Sequence, residues 1–179
     1  ELYELQEQVK LGKEGDWLRA FPVNEITKLG WIPDSKEKHH LVNSLLKFFS
    51  VASVSDWEKI YLGNKVSTTF RLSLAHIQNP HAVSAWLRRG EIQASELTVE
   101  KFDKTRFNKA LSEIKELAFL KPDNFARHLQ TICANCGVAL VFTPNFLQAP
   151  VGGATRWFHN KPIIQMPFQD KTTEQFWFT

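Results

Sequence analysis

Through roughly the first hundred residues, apolar positions recur three and four apart and are separated by polar turns, the pattern of short amphipathic helices. In "DWLRAFPVNEITKLGWI" the pattern opens behind Asp16 as a cap, breaks at Phe21-Pro22, resumes from Asn24 and ends at Leu29-Gly30. "DSKEKHHLVNSLLKFFSV" carries Asp34 or Ser35 as cap and sets Leu41, Leu45, Leu46 and Phe49 on one face. "SVSDWEKIYLG" repeats the formula with Ser55 and Trp57 and closes at Gly63. "NPHAVSAWLRRGEIQASEL" begins with Pro80 near a first turn and places Val83, Trp86, Leu87 and, past Gly90, Ile92 at helical intervals. No strand signal longer than four residues interrupts this half.

The period changes further on. Asp103 or Thr105 caps a helix carrying Phe107, Leu111, Ile114 and Leu117, and Pro122 interrupts it. A second helix follows, and then three β-like runs, Val138 to Phe142, Gly153 to Phe158 and Ile163 to Phe168. The last two form a hairpin across His159-Asn160-Lys161-Pro162, with Pro162 tolerated near the start of a strand. In "QDKTTEQFWFT" Asp170 and Thr172 read as N-cap residues, Gln175 completes a capping box, and Phe176-Trp177-Phe178 opens a helix. The prediction is an α+β chain: an all-helical N-terminal half, residues 1–102, then residues 103–179 with helices packed on a small three-stranded sheet, antiparallel or mixed.

Composition narrows the function classes. Of 179 residues, 43% are hydrophobic and 23% charged, which suits a chain able to bury a core. A net charge of +3 is too slight for a clustered nucleic-acid-binding face. No run of about 18 apolar residues is present, and the amino terminus has no apolar signal core, so a cytoplasmic protein without a membrane span is expected.

The cysteines, Cys133 and Cys136, form a C-x-x-C in "TICANCGVAL". Structural zinc needs a second ligand pair, and His128 and His159 supply none at the required spacing. Thioredoxin-like chemistry needs the pair at a helix N-terminus, whereas here Phe125, Leu129, Ile132, Cys133 and Cys136 form the apolar stripe of a helix closed by Gly137. Both thiols therefore read as core residues. His39 and His40, adjacent on a helix, point about 100° apart and read as solvated rather than as a chelating pair. Gly152-Gly153 marks a bend or a strand entry, since no phosphate-loop lysine follows, and no G-x-S-x-G nucleophile elbow occurs.

The strings "GVALVF", "GGATRWF", "KPIIQM" and "KTTEQFWFT" together resemble the ImmA/IrrE family of zinc metallopeptidase-like domains. Within it, the resemblance is to the subgroup fused behind a Cro/C1-type helix-turn-helix and described as HigA-like antitoxins or regulators. "WLRAFPVNEITKLGWI", "LLKFFSV", "DWEKIY" and "AVSAWLRRGEIQA" are similar to the helical connector of those fusions, so the resemblance covers nearly the whole chain. It implies an incomplete zincin-like domain, in which the helix opened by "FWFT" continues into His-Glu-x-x-His. That motif and the helix-turn-helix are both missing here. The expectation is a central segment of a longer regulator, with no catalytic residue, metal ligand or cofactor of its own and zinc only in the full-length parent. DNA is expected to be reached only through the helix-turn-helix, and a repressor or toxin is the expected protein partner.

Three functions compete at this point: a zinc peptidase tied to transcription, a non-catalytic sensor or interaction module of a DNA-binding antitoxin, and a plain connector. In such peptidases a substrate adds as a strand to a sheet edge, and the resemblance implies Ala154, Thr155, Arg156, Trp157 and Phe158 for that edge, with Ile163 to Met166 inside it. Alternation puts Thr155 and Trp157 on one face and Arg156 on the other. The plainer alternative is that Trp157 and Phe158 only pack in the core or on the helix that would follow. Six Trp and fourteen Phe also suggest an exposed aromatic face through which a homodimer forms.

Overall fold

The computed structural model describes residues 2–62, 79–120, 124–147, 149 and 151–167. The terminal helix expected around Phe176 lies outside them, as do Gly63, Pro122 and Phe168. The chain divides into two compact units: residues 1–66, 77–88 and 146–149 form the first, and residues 67–76, 89–145 and 150–179 the second.

The first unit is helical. Helix α1 spans Leu2–Arg19, α2 Val23–Lys28, α3 Lys38–Phe49 and α4 Val54–Trp57, which continues into a π-helical turn, Glu58–Leu62. Helix α5, Pro80–Glu96, gives its first half, through Arg88, to this unit. Asp16 is not a cap, because α1 runs through it; the carboxylate pairs instead with Arg19 one turn on. The cap of α3 also falls later than predicted, at Glu37, with Ser35 Oγ accepting from the Glu37 N–H. The buried face of α3 is Val42, Leu45, Phe48 and Phe49, rotated from the predicted stripe because Leu41 and Leu46 lie at its margins. Ser53, rather than Ser55, caps α4 by accepting from Asp56 N–H.

The core of this unit is aromatic. Trp17, Phe21, Phe49 and Trp57 meet at centroid distances of 5.0–6.5 Å, mostly edge to face, the arrangement that ring quadrupoles favour. His81 lies flat on Trp57 at 4.7 Å and edge-on to Phe21 at 5.0 Å. Its pKa is lowered, chiefly because burial penalises the imidazolium, with Glu58 acting in the opposite direction. At the end of α3 the Arg88 guanidinium donates to Phe48 O at 2.8 Å and to Ser50 Oγ at 2.7 Å, satisfying a carbonyl that the helix leaves open.

The second unit is the α+β part. Helix α6, Lys104–Leu120, is capped by Asp103, whose Oδ1 accepts from Arg106 N–H at 2.9 Å. Helix α7, Phe125–Asn135, ends at Gly137 with φ +81°. Strands β1 (Ala139–Thr143), β2 (Ala154–Phe158) and β3 (Lys161–Pro167) form a mixed sheet in the order β1-β3-β2, with β1 parallel and β2 antiparallel to β3. The predicted architecture of helices on a small three-stranded sheet is the one observed.

The period of two sorts the sheet residues between two layers. Leu140 and Met166 pack with Ile114, Leu129, Cys133 and Val138 under α6 and α7. Ala139, Val141 and Ile163 pack on Ala94 of α5. In α6 the buried positions are Ala110, Ile114 and Ala118, while Leu111 is exposed against expectation. Among the described residues no helix is long and apolar enough to cross a membrane.

Candidate functional site

The five residues singled out as a sheet edge form β2, and the strand order places β2 at one end of the sheet with β3 in the middle. The hairpin turns on two residues, His159 and Asn160, with φ 46° and 63°, the left-handed pair of a type I′ turn. The closing pair, Phe158 with Lys161, exchanges hydrogen bonds in such a hairpin, so Arg156 with Ile163 and Ala154 with Gln165 do so as well. The N–H and C=O of Thr155 and Trp157 then point away from β3, toward the outer edge. Pro162 faces Trp157 at a non-hydrogen-bonded pair, so its missing N–H removes no bond to β2.

The opposite edge is closed by side chains. On β1, Leu140 O accepts from Gln130 Nε2 at 3.1 Å and Phe142 O accepts from Gln93 Nε2 at 2.9 Å. Two glutamines thus occupy the carbonyls that another strand would need. The structure gives β2 no such plug among the described residues.

Side chains along β2 alternate as the period predicts. Trp157 is 58% exposed and meets Phe102 edge-on at 5.3 Å, and Thr155 is half-buried on the same side. Arg156 points the other way and is only 5% exposed. Its Nη1 donates to Gln165 Oε1 at 2.9 Å, and its Nε lies 3.6 Å from Glu91 Oε1 on α5. Gln165 Nε2 donates to Thr143 Oγ1 at 3.0 Å, and Thr143 Oγ1 donates to Gln93 Oε1 at 2.5 Å. A buried polar chain therefore runs from β2 through β3 to β1 beneath α5. Gly90 leaves room for it: a Cβ there would lie 2.0 Å from Gln165 Oε1. Lys161 completes the attachment by donating to Ala94 O and Leu97 O, both at 3.2 Å, at the C-terminal end of α5.

This network was not anticipated. Its signal was parity: Gln165 and Arg156 occupy the same alternation as Ile163 and Ala154, which are core positions. A polar residue on the buried face of a strand needs partners from the element above it, and those partners lie far off in sequence: Glu91 for Arg156, and Gln93, 50 residues away, for Thr143.

Cys133 and Cys136 are buried and unbonded to one another, as expected of core residues. Burial pushes the Cys133 thiol up to about 12, with Cys136 adding to the effect. Burial also raises Cys136, against the pull of the Arg106 guanidinium. Such thiols are poor nucleophiles. Cys136 lines a cleft of about 290 Å³ with Arg106, Lys109, Glu113, Ile132 and Asn135. In the first unit an open groove of about 530 Å³ is bounded by Leu18, Phe21, Val23, Asn24, Lys38 and Leu41.

The two adjacent histidines depart from the expectation that they point apart. Their rings lie 4.1 Å apart, and both Nδ1 atoms approach Glu37 Oε2, at 3.5 and 3.6 Å. A separation of 100° at Cα did not keep the side chains apart, because both can swing toward one carboxylate at the helix start. Comparison with family models, with curated proteins and with solved structures finds no match to this chain.

Proposed function

We propose that this chain is the protein-interaction part of a helix-turn-helix-linked regulator or antitoxin of the ImmA/IrrE-like kind, and that its β2 edge takes up an extended segment of a partner protein as an added strand. The observation that carries this reading is the asymmetry of the sheet: the β1 carbonyls are occupied by Gln130 and Gln93, while the backbone groups of Thr155 and Trp157 face outward. Main-chain bonds would supply the affinity, and Trp157 beside Phe102 would favour an apolar or aromatic residue at the facing position of the partner. The buried anchorage of Arg156 and the tether of Lys161 hold the edge rigid, which lowers the ordering cost of docking.

The test uses a display library of extended peptides selected on the intact chain, with binding mapped by amide chemical shifts and hydrogen exchange. Slowed exchange at Thr155 and Trp157, with β1 amides unchanged, is the expected result. Thr155→Pro removes one outward N–H without removing a bond to β3 and should abolish capture while preserving the fold. Full binding by that variant, or peptides mapping to another surface, would refute strand addition at β2.

A further inference from the structure

We infer that Glu37, His39 and His40 form a surface site for one divalent first-row transition ion of the nitrogen-preferring kind, copper(II) above nickel(II) and zinc(II). The inference is independent of strand addition at β2. Glu37 precedes α3 in extended conformation, with φ −92° and ψ 119°, and the histidines fall in the first turn. Helical side chains lean toward the N-terminus, and at the first turn that direction leads back to the Glu37 carboxylate. Local chain geometry alone therefore gathers two imidazoles and a carboxylate from four consecutive residues.

The spacing fits an ion. Bonds of about 2.0–2.1 Å at a tetrahedral angle place neighbouring ligand atoms about 3.3 Å apart. Glu37 Oε2 lies 3.5 Å from His39 Nδ1 and 3.6 Å from His40 Nδ1. One ligand atom from each of the three residues falls within 4.8 Å of the others. Closing the remainder takes only rotation of exposed side chains. Two imidazoles with one carboxylate select copper, nickel or zinc over magnesium and calcium, which prefer oxygen alone. The remaining coordination positions open to water or to a side chain from another protein. Lys36 and Lys38 flank the cluster and oppose a cation, but both are exposed, and the high dielectric of water keeps that repulsion small.

The experiment titrates copper(II), and separately zinc(II), into the intact chain by calorimetry, with electron paramagnetic resonance of the copper form. One equivalent should bind, with superhyperfine coupling from two imidazole nitrogens. Replacing an outer-sphere partner of a metal ligand typically costs 10- to 100-fold in affinity, so loss of a direct ligand in His39→Ala or His40→Ala should cost about tenfold or more. Glu37→Gln should weaken binding while keeping the two-nitrogen signature. All three side chains are exposed, so circular dichroism of the variants should remain that of the parent. The inference is overturned by an absence of saturable binding, by undiminished binding in the double histidine variant, or by equal competition from magnesium.

Discussion

Replacing Gly137 by alanine tests two structural features at once, and Gly30 allows them to be separated. Gly137 lies just past α7 with φ +81°, and a Cβ there would sit 2.3 Å from both Cα and N of Phe102 and 2.6 Å from the Lys101 carbonyl carbon. All three are backbone atoms, so no side-chain rotation relieves the overlap. The approaching segment cannot withdraw freely, because Glu100 N–H donates to Ala134 O at 3.0 Å and Asp103 N–H donates to Cys136 O at 3.1 Å. Gly30 has nearly the same backbone, φ +69°, with nothing within 4 Å of its added Cβ. A left-handed alanine costs about 1–2 kcal/mol, partly offset by about 0.4–1 kcal/mol from the stiffer unfolded chain. Gly30→Ala should therefore destabilise by about 1 kcal/mol. Gly137→Ala adds an overpacking cost of about 1–3 kcal/mol, for a total of about 2–4 kcal/mol. Urea denaturation followed by circular dichroism, with amide exchange of α7 and β1 to assign the loss to the second unit, measures both. If Gly137→Ala costs no more than Gly30→Ala, the close approach of residues 101–102 to the helix end does not exist in solution.

Lys161→Met should cost about 1–2 kcal/mol by removing the two bonds to Ala94 O and Leu97 O, and should speed amide exchange in the last turn of α5. The pH dependence of the first unit should follow His81. Its folded pKa lies below the ordinary 6.5, so the unfolded chain binds more protons, and the stability present in full above pH 6.5 is lost as pH falls toward the lowered value. His81→Phe should flatten that slope in acid titrations monitored by tryptophan fluorescence, and an unchanged slope would assign it elsewhere. A thiol reagent at pH 8 should leave Cys133 unmodified in the folded chain and label it promptly in denaturant, since burial holds the thiol protonated.

The spacing of apolar residues sufficed to place α5, the helix ending at Gly137, and the three strands to within a residue or two, because each depends on local periodicity and on a turn residue at its end. It was weaker where a boundary depends on competition between plausible caps: Asp16 yielded to a longer α1, and Ser53 displaced Ser55. Alternation also separated Trp157 from Arg156 before any coordinate was known. It could not say what lies over Arg156, nor that the histidines following Glu37 share its carboxylate, since partner choice depends on side-chain rotamers and on elements distant in sequence.

What the sequence determined by itself was therefore most of the elements and the alternation along the strands, because both follow from periods of 3.6 and 2 that the chain carries locally; the stretch of α1 ahead of Asp16 and the buried stripes of α3 and α6 came only with the structure. Only the tertiary structure decided that β3 lies between β1 and β2, that glutamines from α5 and α7 close one edge, and that Glu91, Gln93, Thr143, Gln165 and Arg156 meet beneath α5. Strand order and buried polar pairing are properties of long-range packing, where the need to satisfy every buried donor selects among arrangements that local patterns leave equivalent.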